Sequence, residues 1–200
     1  MPSPTTNGPS ASRPSCTSTP LSPARRCRWT AFTSAGFRAR RASCGNATAI
    51  DVASAYVWAF LRSTHRNPSA RHTAELCHLV ASELKAAGWK LAEVTTDNGS
   101  EFRSADFGDA VAAEKATQRR IKAGRPNSNG CAERAQLTIL EECWRPAFSR
   151  SLAPKITALR RDLDEYLRYY NNDRAHTGRL TKGRVPADIV FKARKMGTVR

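Results

Sequence analysis

Between Met1 and Asn46 the chain has no Asp, no Glu and no Lys, while Ser, Thr, Pro and Arg fill most of the positions. A stretch of that composition cannot bury enough apolar surface to offset its ordering entropy. It is expected to be disordered, with at most an extended piece from Trp29 to Phe37. Other absences narrow the class further. No apolar run is long enough to span a bilayer, and the first residues are too poor in apolar side chains for a secretory signal. The expectation is therefore a cytoplasmic protein with no membrane partner. The six cysteines show no C-x-x-C spacing and no paired histidines, which excludes a zinc module and leaves free thiols. Acidic residues are scarce throughout: 17 Asp and Glu face 33 Lys and Arg, giving a formal charge of +16 and a pI near 10.4. An excess of that size points to a polyanionic partner, nucleic acid before an anionic membrane surface.

From Ala47 onward the composition becomes that of a globular protein. "ATAID" and "AYVWAFL" are short apolar runs bracketing a turn, the pattern of two antiparallel strands. Leu76, Leu79, Val80, Leu84 and Ala87 recur at helical spacing, and Gly88 follows as a stop. "KLAEVTT" reads as a strand that delivers Asp97 at its carboxyl end, immediately before the Asn98-Gly99 turn signal. Ser104 is placed to cap a helix through "ADFGDAVAAEKA", "TQRRIKA" is a further strand, and "GRPNSNG" is a loop. Ala132, Ala135, Ile139 and Cys143 mark a helix ending near Pro146, and Ile156, Leu159, Leu163, Leu167 and Tyr170 mark another. Strands alternating with helices in this order predict an α/β layer fold on a mixed sheet.

Two carboxylates stand out by position. Asp97 lies where a strand opens into a turn, the usual ligand end of an α/β sheet. Glu133 lies in the first turn of a helix, where free N–H groups favour an ionised acid. Two hard oxygen donors suit Mg²⁺. Taken singly, each has an ordinary explanation as well: a turn aspartate, and a glutamate that complements the helix dipole.

The surrounding motifs go further. "VTTDNGSEF", then "GRPNSNGCAERAQLTILEE", then "LDEYLRYYNNDRAHTGRLTKGRVPADI" resemble the catalytic core of retroviral-integrase-type transposases of bacterial insertion sequences. In that family the Asp of T-D-N-G-S-E-F is followed at a fixed interval by the Glu of a P-x-x-N-G-x-x-E-R helix. Here 35 residues separate Asp97 from Glu133. The resemblance runs from about Ala47 to Ile189. It implies an RNase H-like fold, a five-stranded mixed sheet with helices on both sides. It also implies two Mg²⁺ (or Mn²⁺) ions on an Asp, Asp, Glu triad, with DNA strand cleavage and transfer as the activity. Asp97 would be the second carboxylate and Glu133 the third. Lys122, Arg125, Asn127, Asn129 and Arg134, with Arg119 and Arg120, become candidates for DNA phosphate contacts, although each also reads as a solvated loop or helix residue.

The first carboxylate is not where the resemblance puts it. "AIDVASAYVWAFL" resembles the family's second-to-third strand turn, which makes Asp51 a turn residue. The true counterpart belongs near positions 25 to 35, where "ARRCRWTAFTS" offers no acid. These observations predict residues 1–46 as a disordered Ser/Pro/Arg-rich segment, out of frame or with a misassigned start. Residues 47–192 are predicted as a core-like domain whose first, central strand is missing or degraded, and residues 193–200 as a basic tail. Two readings follow for function. One is an active strand-transfer enzyme completed by Asp51 or by an Asp of another chain. The other is a catalytically impaired, nucleoid-associated remnant that binds DNA, forms homo-oligomers or pairs with an intact transposase. A basic protein of another nucleic-acid-binding kind is the third reading.

Overall fold

Three antiparallel strands, β1 (Cys27–Ala39), β2 (Ala42–Asp51) and β3 (Val57–Thr64), form a meander, and two parallel strands, β4 (Lys90–Thr96) and β5 (Thr117–Arg120), extend it from the β1 edge. The resulting order is β3-β2-β1-β4-β5. The structure, a computed structural model, describes residues 27–39, 42–64, 69–121, 130–151, 154–178 and 180–191.

The sheet is mixed and five-stranded with flanking helices, as the resemblance implies, but one expectation is corrected. The central strand is not missing. β1 pairs on both sides, with β2 from Thr30↔Asp51 to Ala39↔Ala42 and with β4 from Cys27↔Lys90 to Phe32↔Thr96. The expected break after residue 46 falls inside β2. Composition suggested disorder because the stretch is rich in Ser, Pro and Arg. Its later part nevertheless carries Thr30, Phe32 and Thr33, residue types that suit a pleated surface, and a central slot satisfies backbone groups on both of its edges. What this strand lacks is a carboxylate, not a place in the sheet. Residues 1–26 and 193–200 lie outside the described residues.

Period-two alternation then divides the core between the two faces. Val57, Ala59 and Leu61 of β3 face one side with Ile50, and there meet α3 (Gly130–Ile139), α4 (Arg145–Arg150) and α5 (Ile156–Asn172) through Ala135, Ile139, Ala147, Leu159 and Leu163. Trp58 faces the other side with Phe32, Ala47 and Ala49. It meets α1 (Ala70–Ala86), α2 (Ala105–Ala113) and α6 (Pro186–Phe191) through Leu76, Val80, Leu84, Phe107 and Val190. Helices therefore cover both faces.

Local signals act where the sequence placed them. Gly88, at φ +81°, ends α1: the Trp89 N–H bonds the Leu84 carbonyl at 2.8 Å and the Gly88 N–H bonds the Lys85 carbonyl at 3.0 Å, a Schellman closure. Ser104 caps α2 by accepting the Phe107 N–H at 3.3 Å. The helix predicted to end near Pro146 instead continues to Arg150 through a π-turn at Leu140–Trp144. Its buried residues Ala135, Ile139, Cys143 and Ala147 recur every four positions, a spacing that drifts off a 3.6-residue face unless one wider turn resets it.

Candidate active site

Asp97 leaves the end of β4 half-buried, and three contacts define its surroundings. The Gly99 N–H donates to its Oδ1 at 2.9 Å, closing a tight turn after the strand. The Thr33 hydroxyl of β1 hydrogen-bonds the same carboxylate, and Glu101 supplies a second negative charge nearby. Burial, reinforced by Glu101, raises the Asp97 pKa above the usual carboxylate value of 3.8, while the bonds from Gly99 and Thr33 pull it back. Beside it, the Asn98 amide donates to the Ile121 carbonyl at 3.0 Å. Gln118 of β5 donates to the Phe102 carbonyl at 2.8 Å, so the Asp-Asn-Gly turn is anchored to the next strand.

A polar row runs from Asp97 across the sheet to the opposing helix. Thr33 pairs across the ladder with Thr48 of β2. The Thr48 hydroxyl donates to Gln136 Oε1 of α3 at 2.6 Å, and the Asn46 amide reaches the same oxygen at 3.5 Å. Gln136 sits one turn beyond Glu133 on α3, and Ala132 and Ala135 bury the helix's inner face. Thr33, Thr48 and Gln136 thus join the end of β4 to the first turn of α3. Sequence reasoning did not find this row, because threonines in strands are ordinary and nothing in their spacing marks a site. Glu101 lies within "VTTDNGSEF", where nothing in its spacing distinguishes it from a solvated turn residue.

Glu133 itself is exposed, and so is Arg134 beside it. Glu101 is the acidic neighbour that raises the Asp97 pKa. Lys122, Arg125, Asn127 and Asn129 lie outside the described residues, while Arg119 and Arg120 stand exposed on β5. Among the described residues no group of three or more His, Cys, Asp or Glu is arranged to hold a metal ion. The donor set therefore does not fit a two-metal centre. From the central strand, Asp97 is met by the Thr33 hydroxyl.

Asp51 is occupied elsewhere. It is fully buried at the end of β2, where its Oδ2 accepts the Ser54 N–H at 2.8 Å and the Ser54 hydroxyl at 2.5 Å. Its backbone closes the β2–β3 hairpin with Tyr56 and Ala55, the latter at φ +61°. In register it lies opposite Thr30, three residues along β1 from Thr33, a separation of about 10 Å along a strand. It is the turn residue that the sequence suggested.

The "YLRYYNNDRAH" segment is a docking device. The Asn171 side chain pairs with both backbone groups of Val57, accepting its N–H at 2.9 Å and donating to its carbonyl at 2.7 Å. Arg174 bonds Glu142 in the π-turn, the Tyr166 hydroxyl reaches the same carboxylate at 3.0 Å, and His176 stacks edge-on against Tyr170 at 4.7 Å. These residues fasten the end of α5 to β3 and to the helix that carries Glu133.

Comparison with known proteins places this arrangement. The family model described as "Integrase core domain" matches residues 114–180, the span that holds β5, α3, α4 and α5. The fold is similar to that of a chain in the simian T-cell lymphotropic virus intasome in complex with the PP2A regulatory subunit B56 gamma. That match has a TM-score of 0.64 and 17% identity and covers 86% of this chain and 56% of that one. It is also similar to the HTLV-2 integrase catalytic core domain in complex with magnesium. The dimeric form gives a TM-score of 0.60 at 13% identity over 84% of this chain and 98% of that one. The trimeric form gives 0.60 at 13% over 83% and 97%. The chain spans about half the length of the intasome chain it matches. No curated protein matches it significantly.

Proposed function

We propose that this chain, an integrase-core protein by fold and by the family match over residues 114–180, is a transposase-derived DNA-binding protein that has lost strand-cleaving activity. The observation that carries this reading is the contact between Asp97 and Thr33. The strand-end acid is retained, while its neighbour on the central strand is a hydroxyl without charge. A hydroxyl neither replaces the negative charge that would hold divalent metal ions nor positions them for in-line attack on a phosphodiester.

DNA is the partner that the charge of +16 selects. Arg119, Arg120 and Arg134 are the described candidates for phosphate contacts, and Lys122, Arg125, Asn127 and Asn129 extend the set along the connecting segment. A bacterial insertion-sequence origin, a place at the nucleoid, and pairing with a second copy or with an intact transposase complete the reading. Leu137, Leu140 and Tyr169 offer exposed apolar surface for such pairing.

Incubating the purified chain with end-labelled duplex DNA, with and without Mg²⁺, tests the proposal. Retarded DNA that is never nicked is the expected result. Absence of retardation at low salt would refute DNA binding. Mg²⁺-dependent nicking that disappears in Asp97→Asn would show an active enzyme instead.

A further inference from the structure

The disagreement between the site and its metals has a traceable source in the genetic code. β1 holds the central position beside β4, yet the whole stretch up to Asn46 carries no acid. In the standard code tryptophan has the single codon TGG and threonine has ACN. A reading frame that takes the last base of one codon and the first two of the next therefore reads GAC, aspartate, across Trp29 and Thr30, whatever the synonymous codons used.

The neighbouring triplets of that frame are nearly as constrained. Across Arg28 and Trp29 it reads NTG, which is Leu, Met or Val. Across Ala31 and Phe32 it reads NTT, which is Phe, Leu, Ile or Val, and across Phe32 and Thr33 it reads Tyr or His. Between these, across Thr30 and Ala31, it reads NGC, which is Cys, Ser, Gly or Arg. The product is an acid followed by one small or basic residue and flanked by apolar and aromatic ones, a strand pattern with one polar place. The missing residue types have a matching explanation. Only Asp and Glu codons begin with GA, so their absence removes TGA from the displaced frame throughout this stretch. With no Lys, only Asn7 and Asn46 leave a route to TAA, while TAG stays open only before Ser or Arg codons that begin with AG.

We infer that residues from about 28 to 46 are the displaced-frame translation of a strand that originally supplied a metal-binding aspartate to face Asp97. This rests on the integrase-core reading above. The aspartate triplet lies three residues before Thr33, so the original strand sat about 10 Å further along β4, with the difference absorbed at the β1–β2 turn. That displacement seats the acid in the Thr33 place. It also seats the Leu, Met or Val before it in the buried Phe32 place, so apolar packing is kept.

The test compares the present full chain with one in which residues 28–46 are replaced by the displaced-frame translation of the same DNA. Melting temperature with and without Mg²⁺, binding of a labelled duplex, and nicking are measured on both. Mg²⁺ is expected to raise the melting temperature of the restored chain by several degrees, to leave the present chain unmoved, and to lose its effect when Asp97→Asn is added. A stop triplet in the displaced frame between the codons of Arg28 and Asn46 overturns the inference, and so does a folded restored chain indifferent to Mg²⁺. Should the restored chain not fold, Thr33→Asp in the present chain takes its place. This variant is expected to melt lower without metal and to recover with Mg²⁺, and no recovery overturns the inference. DNA retardation by both chains reports on the integrase-core reading separately, since it requires no metal.

Discussion

At the scale of single residues, a carboxylate is informative through what faces it. Asp97 carries a raised pKa because it is half-buried beside Glu101, and only a hydroxyl and one backbone N–H offset that burden. The sign of the consequence follows. A carboxyl whose folded pKa lies above its unfolded value costs no stability below the unfolded value of 3.8 and penalises folding once pH passes the folded one. Asp97→Asn keeps an oxygen for Gly99 and Thr33 and removes the charge. It is expected to melt higher than the parent at neutral pH, by a few degrees at most, with the difference shrinking as pH approaches about 4. Thermal scans at several pH values check this. An equal or lower melting temperature at neutral pH would mean that something in solution already compensates the acid. The aspartate itself was legible in the sequence as a strand-end residue before a turn. Its neighbour Thr33 was not, since it belongs to a strand 64 positions earlier and only the parallel β1–β4 pairing brings the two together.

At the scale of elements, legibility followed periodicity. α1 and α5 were readable because each buries one stripe of a long helix, and α2 because a serine cap announces it. β1 was hidden because its composition resembles that of disordered chain and its stability comes from two neighbours rather than from itself. The π-turn was hidden because a four-residue repeat of apolar positions still counts as helical, and only the burial of Ala135, Ile139, Cys143 and Ala147 together shows that a wider turn intervenes. The docking of α5 gives a quantitative contrast. Asn171 satisfies both backbone groups of Val57 in a buried place. Asn171→Ala leaves two orphaned groups and is expected to cost about 3 kcal/mol in urea unfolding. Arg174→Ala breaks the ion pair with Glu142, in which both side chains are about one-third exposed, and is expected to cost under about 1 kcal/mol. If the two losses came out equal, the "YNNDRAH" segment would not be docked through its asparagine.

At the scale of the whole molecule, charge and fold make separate demands. The fold needs neither the +16 excess nor the exposed arginines at positions 119, 120 and 134. Like charges in that number repel one another and weaken the compact state. On the DNA-binding reading proposed above, such an excess is what contacts to many phosphates require. Binding through phosphates alone has a distinctive signature: affinity falls linearly with salt on logarithmic axes, with a slope set by the number of phosphates neutralised. Titration of fluorescent duplexes is expected to show a loss of roughly 10³-fold or more between about 50 and 200 mM salt, the range for six or more contacts. Unrelated sequences should bind within a few-fold of one another. Arg134→Ala should reduce the slope by about one unit and lower affinity uniformly across sequences. If affinity were flat in salt, or if one sequence bound far more tightly than the rest, base contacts would have to carry the binding. The DNA-contacting surface would then lie somewhere other than around α3 and β5.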